Sequence, residues 1–220
     1  MPTLILVPTE LELRRLEDEG GLPTGHAIVR VCGFGPIAAA ACCSRMLTQL
    51  TPARVLLVGV AGAYDVDRDP IGCALEFSSV AIYGVGAGEG RGLVPPAALG
   101  FPQWPGSPST PALGECLPLA RAPSEAAGLL LTTCAAAAEE AQVEARLERF
   151  PAARAEDMEG FGVACACRLA AVPLRIVRGI SNRVGDRDAE HWKLAPALAS
   201  ARLEALALLE SVWDEGGNER

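Results

Sequence analysis

Short apolar runs closed by turn residues recur along this chain, and several lead into segments whose apolar positions return every three or four residues. "TLILVP" predicts a first strand, with a helix starting near Leu11. "HAIVRVCG" predicts a second strand, and "PIAAAACCSRMLTQL" a helix with Pro36 in its first turn. "ARVLLVGVAG" predicts a buried strand that ends in glycines, while "CALEFSSVAIYG" is longer and more amphipathic. "AGLLLTTC" and "VPLRIVRGIS" predict two further strands. Between the acidic amphipathic stretch "AEEAQVEARLERF" and the second of these strands, "EDMEGFGVACACRLAA" reads as a helix. "LAPALASARLEALALLESVW" predicts a long closing helix. Strands that alternate with helices predict an α/β fold with a largely parallel sheet covered on both faces. Ligands of such sheets gather beyond the carboxyl ends of the strands. The Gly- and Pro-rich segment 84–111 predicts a long loop with the character of a lid or substrate flap.

Composition narrows the class. At 220 residues the chain suits one sizeable core, so a single domain over residues 1–220 is expected. Half the residues are hydrophobic and only 5% aromatic, as in a tightly packed α/β protein. A net charge of −8 without a polybasic tract excludes a nucleic-acid surface. No run approaches the roughly 20 apolar residues of a membrane helix, and the N-terminal run is too short for a signal peptide. Eight cysteines raise a disulfide or metal reading. The pairs Cys42/Cys43 and Cys165/Cys167 lack zinc-knuckle spacing, and only His26 and His191 are available to complete a site. Reduced cysteines acting as small hydrophobes fit better, which points to a reducing compartment and a cytoplasmic location, with no metal expected.

Four motifs carry candidate chemistry. In "CGFGPIA", Gly33, Gly35 and Ala38 match a dinucleotide fingerprint between strand and helix. The acid needed about 20 residues on for the ribose is missing, and the turn follows the second strand. A tight turn is the plainer reading, and a nucleotide- or dinucleotide-binding module stays as an alternative. Glu10 and Glu12 follow the first strand, where acids also serve as ordinary helix-dipole partners. Glu156, Asp157 and Glu159 flank Met158, and the helical glycines Gly160 and Gly162 need a reason such as close backbone packing. In "RGISNRVGDRD", Ser181 and Asn182 stand directly against an apolar run, where unpaired polar groups are costly. Such groups point at a ligand or at one another.

Taken in this order, "TELEL", "GFGPIAAA", "GVAGA", "DMEG" and the strand leading into "RGISN" resemble the nucleoside phosphorylase/nucleosidase superfamily over most of the chain. Within it they look like the purine nucleosidases that cleave methylthioadenosine and S-adenosylhomocysteine. The resemblance implies a three-layer αβα sandwich around a central mixed, mostly parallel sheet. It implies that Glu12 orients and deprotonates the attacking water, and that Glu159 accepts from the ribose hydroxyls. Met158 would pack on the sugar face, and the backbone of Val60, Ala61 and Gly62 would line the pocket. Asp157 joins the substrate-binding set, although a glutamate is usual there; Val60 stands where a serine is usual.

Asn182 occupies the place of an aspartic acid in the adenine-cleaving relatives, and this changes the expected base. Adenine offers a donor at N6 beside an acceptor at N7, whereas a 6-oxopurine offers two acceptors. An amide can donate to them and a carboxylate cannot, so Asn182 implies a hypoxanthine or guanine leaving group. "MEG" after an acid, and "RGISNRVGDRD" followed by Trp192, look like a branch whose 6-oxopurine nucleoside carries a carboxyphenyl ketone at the 5′ end. For that carboxylate Arg187 in the late loop or Arg91 in the loop 84–111 is the candidate partner, with Phe101 and Trp104 as stacking groups. The turn "GFGPIAAA" lacks the arginine or serine that holds phosphate in the family's phosphorylases. Hydrolysis without cofactor or metal is therefore expected over phosphorolysis, with a 6-oxopurine nucleoside phosphorylase as the alternative. The resemblance and the apolar segments also imply a homo-oligomer, dimer or tetramer.

Overall fold

The structure is a computed structural model and describes residues 1–23, 25, 27–120 and 127–211. His26 and the last residues expected in the closing helix, Val212 and Trp213, lie outside them. The first strand, β1 (Thr3–Val7), is buried at every position and is followed by α1 (Glu10–Asp18). Then come β2 (Ala27–Val31), α2 (Pro36–Leu50), β3 (Arg54–Ala63) and β4 (Ala74–Tyr83). A short edge strand, β5 (Cys116–Pro118), precedes β6 (Ala127–Thr133), α3 (Glu140–Arg149) and β7 (Ala153–Asp157). The described chain closes with α4 (Gly160–Leu169), β8 (Leu174–Arg183) and α5 (Leu194–Glu210).

One eight-stranded sheet runs β2-β1-β3-β7-β6-β4-β5, and β8 bridges β3 and β4. The β1–β2, β1–β3, β3–β8, β4–β6 and β6–β7 pairs are parallel; β3–β7, β4–β5 and β4–β8 are antiparallel. The sheet is thus mixed and mostly parallel, as the sequence led us to expect. Because β8 joins β3 to β4, five of its strands close into a ring, and β1 and β2 extend from it as a wing.

Alternation explains the layers. Leu4, Leu6, Val55 and Leu57 face one core, shared with Cys43, Met46 and Leu47 of α2 and Phe161 and Val163 of α4. Their neighbours Ile5, Val7, Leu56 and Val58 face the other, shared with Leu16 of α1 and Leu198, Ala201 and Ala205 of α5. Strands covered on both sides read as continuous apolar runs, which is why β1, β3 and β8 were legible.

β5 and β7 were not foreseen. β5 has three residues, and β7 ("ARAED") hides its strand character behind charges that are all paired. Arg154 binds Asp69, and Glu156 accepts from Arg146, Tyr64 and the Ala137 amide. The segment expected as one helix from Glu156 therefore begins as strand, and α4 starts only at Gly160. The two glycines there have the expected packing reason. A Cβ at Gly162 would collide with the Pro36 carbonyl at the start of α2, and one at Gly160 would lie 2.9 Å from the Asp157 carboxylate.

Segment 84–111 is less free than a flap. Short antiparallel bridges join Ala87 to Val94, Trp104 to Leu113 and Ser107 to Thr110. Arg91 pins it to α3 through Glu144 and Glu148 at 3.0 and 2.9 Å. The cysteines are free thiols: Cys32, Cys43 and Cys167 are buried, but Cys116 and Cys134 are exposed. Among the described residues no helix is long and apolar enough to cross a membrane.

Candidate active site

Three carboxylates and one guanidinium meet where β1 and β7 end, against the middle of β3 and β8. Glu12 is the third residue of α1, and Thr9 is its N-cap: the threonine hydroxyl accepts from the Glu12 amide at 3.2 Å. The Glu12 side chain is buried. Its Oε1 accepts from the Val60 amide of β3 at 3.1 Å, and its Oε2 from the Thr9 hydroxyl at 2.7 Å. Gly59 makes this approach possible. A Cβ there would collide with Nη1 of Arg178 and lie 2.7 Å from Glu12 Oε1.

Arg178, wholly buried in β8, is the hub. Its Nε and Nη2 donate to Asp157 Oδ2 at 3.1 and 2.6 Å, and Nη2 also reaches Glu159 Oε2 at 3.3 Å. Burial disfavours its charge, but Asp157, Glu159 and Glu12 outweigh that and hold its pKa above the ordinary value. Nη1 has no hydrogen-bond partner among the described residues. A buried guanidinium nitrogen without an acceptor, standing beside the Glu12 carboxylate, is suited to hold a water or a substrate oxygen.

Asp157 is saturated by protein donors. Besides Arg178 it accepts from the Thr132 hydroxyl at 2.6 Å and from the Gly160 amide at 2.9 Å. Through these contacts Asp157 anchors Arg178 and the start of α4. Glu159, the residue before α4, accepts from the Gly35 amide at 3.0 Å. Burial, opposed by Arg178 and reinforced by Asp157, pushes its pKa up to about 7.

The Gly35 contact also bears on "GFGPIA". Gly33 and Gly35 have φ of 98° and 84°, a region open to glycine, and so make the tight turn into α2. The amide that a dinucleotide phosphate would seek at that helix start is already given to Glu159.

At the far end of β8, the Ser181 hydroxyl donates to Asn182 Oδ1 at 2.8 Å and lies 3.3 Å from the Ala61 carbonyl. Asn182 Nδ2 donates to the Arg183 carbonyl at 2.8 Å. The amide oxygen is therefore held by Ser181, and among the described residues one Nδ2 hydrogen remains for a ligand. Gly62 pairs with Asn182 across β3–β8, and its missing Cβ would lie 3.3 Å from Nδ2. Met158 is half-buried between Asp157 and Glu159.

The structure thus gathers Glu12, Val60, Ala61, Gly62, Asp157, Met158, Glu159 and Asn182 along adjoining strand ends. Arg187 stands apart in the exposed loop after β8, its guanidinium over Trp192 at 5.1 Å. Arg91 is engaged by α3, Phe101 is exposed, and Trp104 donates to Thr110 within its own loop. The residue missed from sequence is Arg178. Its signal was an arginine inside an otherwise apolar run, since a charge there needs buried partners.

A family profile describing the phosphorylase superfamily matches residues 19–213. The chain belongs to that superfamily. It is 34% identical over 150 residues to a futalosine hydrolase of Streptomyces coelicolor, a match covering 66% of this chain and 60% of that protein. It is 31% identical to a futalosine hydrolase of Thermus thermophilus over 99% of this chain and 98% of that one. In fold it is similar to the 5′-methylthioadenosine/S-adenosylhomocysteine nucleosidase of Helicobacter pylori crystallised with butyl-thio-DADMe-Immucillin-A. The TM-score is 0.75 at 18% identity, covering 96% and 99% of the two chains.

Proposed function

We propose that this protein is a purine nucleosidase that hydrolyses the N-glycosidic bond of futalosine, releasing hypoxanthine and dehypoxanthinyl futalosine for menaquinone biosynthesis. The observation that carries the reading is the Asn182 amide, held by Ser181 and Arg183 so that it offers a donor. The relatives named above support the substrate. Bond cleavage passes through an oxocarbenium-like sugar, and the bonding pair leaves with the purine. Asn182 donates to N7 or O6 as that charge builds. Water adds at the anomeric carbon while Glu12 takes its proton, and Nη1 of Arg178 holds the water beside Glu12. Glu159 accepts from the ribose hydroxyls when ionised. No step in this scheme asks for a metal or cofactor.

Charge favours hydrolysis over phosphorolysis. Glu12, Asp157 and Glu159 face one guanidinium, a balance that draws a cationic sugar and repels a phosphate dianion. The test is hypoxanthine release from futalosine, inosine and methylthioadenosine in phosphate-free buffer. Rapid release from futalosine is expected. Release that waits for added phosphate would make the protein a phosphorylase, and tight dinucleotide binding without turnover would make it a binding module.

We also infer a homo-oligomer, which the exposure of Phe34 (66%) and Ile37 (81%) beside the site supports. Sedimentation as a dimer or tetramer is expected, and a monomer would contradict it. The buried free thiols support a cytoplasmic location.

A further inference from the structure

"TELE" at residues 9–12 spells a capping box, in which the third helical residue should turn its carboxylate back onto the N-cap amide. Here it does not. Glu12 Oε1 goes across to the Val60 amide on β3, and Oε2 accepts from the Thr9 hydroxyl. The same hydroxyl accepts from the Glu12 amide. A single oxygen therefore closes a local ring around Glu12, fixing its backbone with its lone pair and its carboxylate with its proton.

We propose that Thr9 is a positioning residue for Glu12, its hydroxyl holding the carboxylate in the rotamer that faces Arg178 Nη1. This rests on the reading of Glu12 as the base that activates water. Without the hydroxyl, Oε2 has no described donor, and the carboxylate pivots on the Val60 amide alone. The cap and the hold are separable. Glycine caps helices almost as well as threonine but has no hydroxyl; valine matches the shape but neither caps nor donates; serine does both.

The experiment compares Thr9→Gly, Thr9→Val and Thr9→Ser in melting temperature and in kcat and KM for hypoxanthine release from futalosine. Thr9→Gly and Thr9→Val are expected to lose roughly 10- to 100-fold in kcat, the scale of a misplaced catalytic group, with KM within about twofold. Thr9→Ser should rescue kcat, and Thr9→Gly should melt close to the parent. If Thr9→Gly keeps the parental kcat, Thr9 only caps the helix and the proposal fails. A parent enzyme that releases no hypoxanthine would instead sink the functional reading. Thr9 would then be judged from crystal structures of the parent and Thr9→Gly, where an unmoved Glu12 carboxylate overturns it.

Discussion

β8 carries two buried arginines three residues apart, and they behave differently. Arg175 binds Glu76 through both Nε and Nη2, and its Nη1 donates to the Ser211 hydroxyl at 3.0 Å. Each of its nitrogens has an acceptor. Arg178 instead faces Asp157, Glu159 and Glu12, and keeps Nη1 unpartnered. The first is a closed structural pair. The second leaves one donor and an excess of negative charge where β1 and β7 end. Burial alone does not separate these two arginines; the surplus of carboxylates around Arg178 and its open Nη1 do.

The largest effect that sharpens this contrast is on activity. Arg178→Met should lower kcat for hypoxanthine release by about 1000-fold or more, since it removes the water's donor and the partner of three carboxylates. Arg175→Met should act on stability instead. Leaving Glu76 buried and unpaired should cost roughly 3–5 kcal/mol in denaturant unfolding, while the double variant Arg175→Met/Glu76→Leu recovers most of it. The folded fraction of either should turn over at the parental rate. Comparable losses of kcat at both arginines would break the distinction.

A smaller effect concerns pH. Glu159, pushed up to about 7 by burial, must be ionised to accept two ribose hydroxyls. kcat/KM should fall roughly tenfold per pH unit below that value, and Glu159→Gln should flatten this limb at a lower plateau. The sign for stability is opposite. A carboxyl whose folded pKa exceeds its ordinary 4.5 lends stability at low pH that is lost as pH rises through about 7. Glu159→Gln should therefore weaken the parent's preference for pH 5 over pH 8 in thermal melts.

Much of the scaffold was legible because β1, β3 and β8 are buried on both faces, and because turn residues bound them. Gly160 and Gly162 announced a close approach, which proved to be the Asp157 carboxylate and the start of α2. Glu12, Glu159 and Asn182 were legible through motif order and through polar groups set against apolar runs. The contacts of Arg178 and Asp157 were not. Their meaning depends on carboxylates from α1, β7 and the start of α4, which sequence separations of 19 to 166 residues conceal. β7 escaped for the same reason, since its charges look solvated until Asp69, Arg146 and Tyr64 are brought against them. Nothing in the sequence shows that the Thr9 hydroxyl reaches the Glu12 carboxylate as well as its amide.

The central claim is that the Asn182 amide selects a 6-oxopurine. Its most direct test is the ratio of kcat/KM for futalosine to that for its 6-amino analogue, measured for the parent and for Asn182→Asp. We expect the parent to favour the 6-oxo substrate by about 100-fold or more, and the substitution to invert or abolish that preference, because a carboxyl group suits N6 and N7 of a 6-aminopurine. An Asn182→Asp enzyme that keeps the parental ratio would show that the base is read elsewhere.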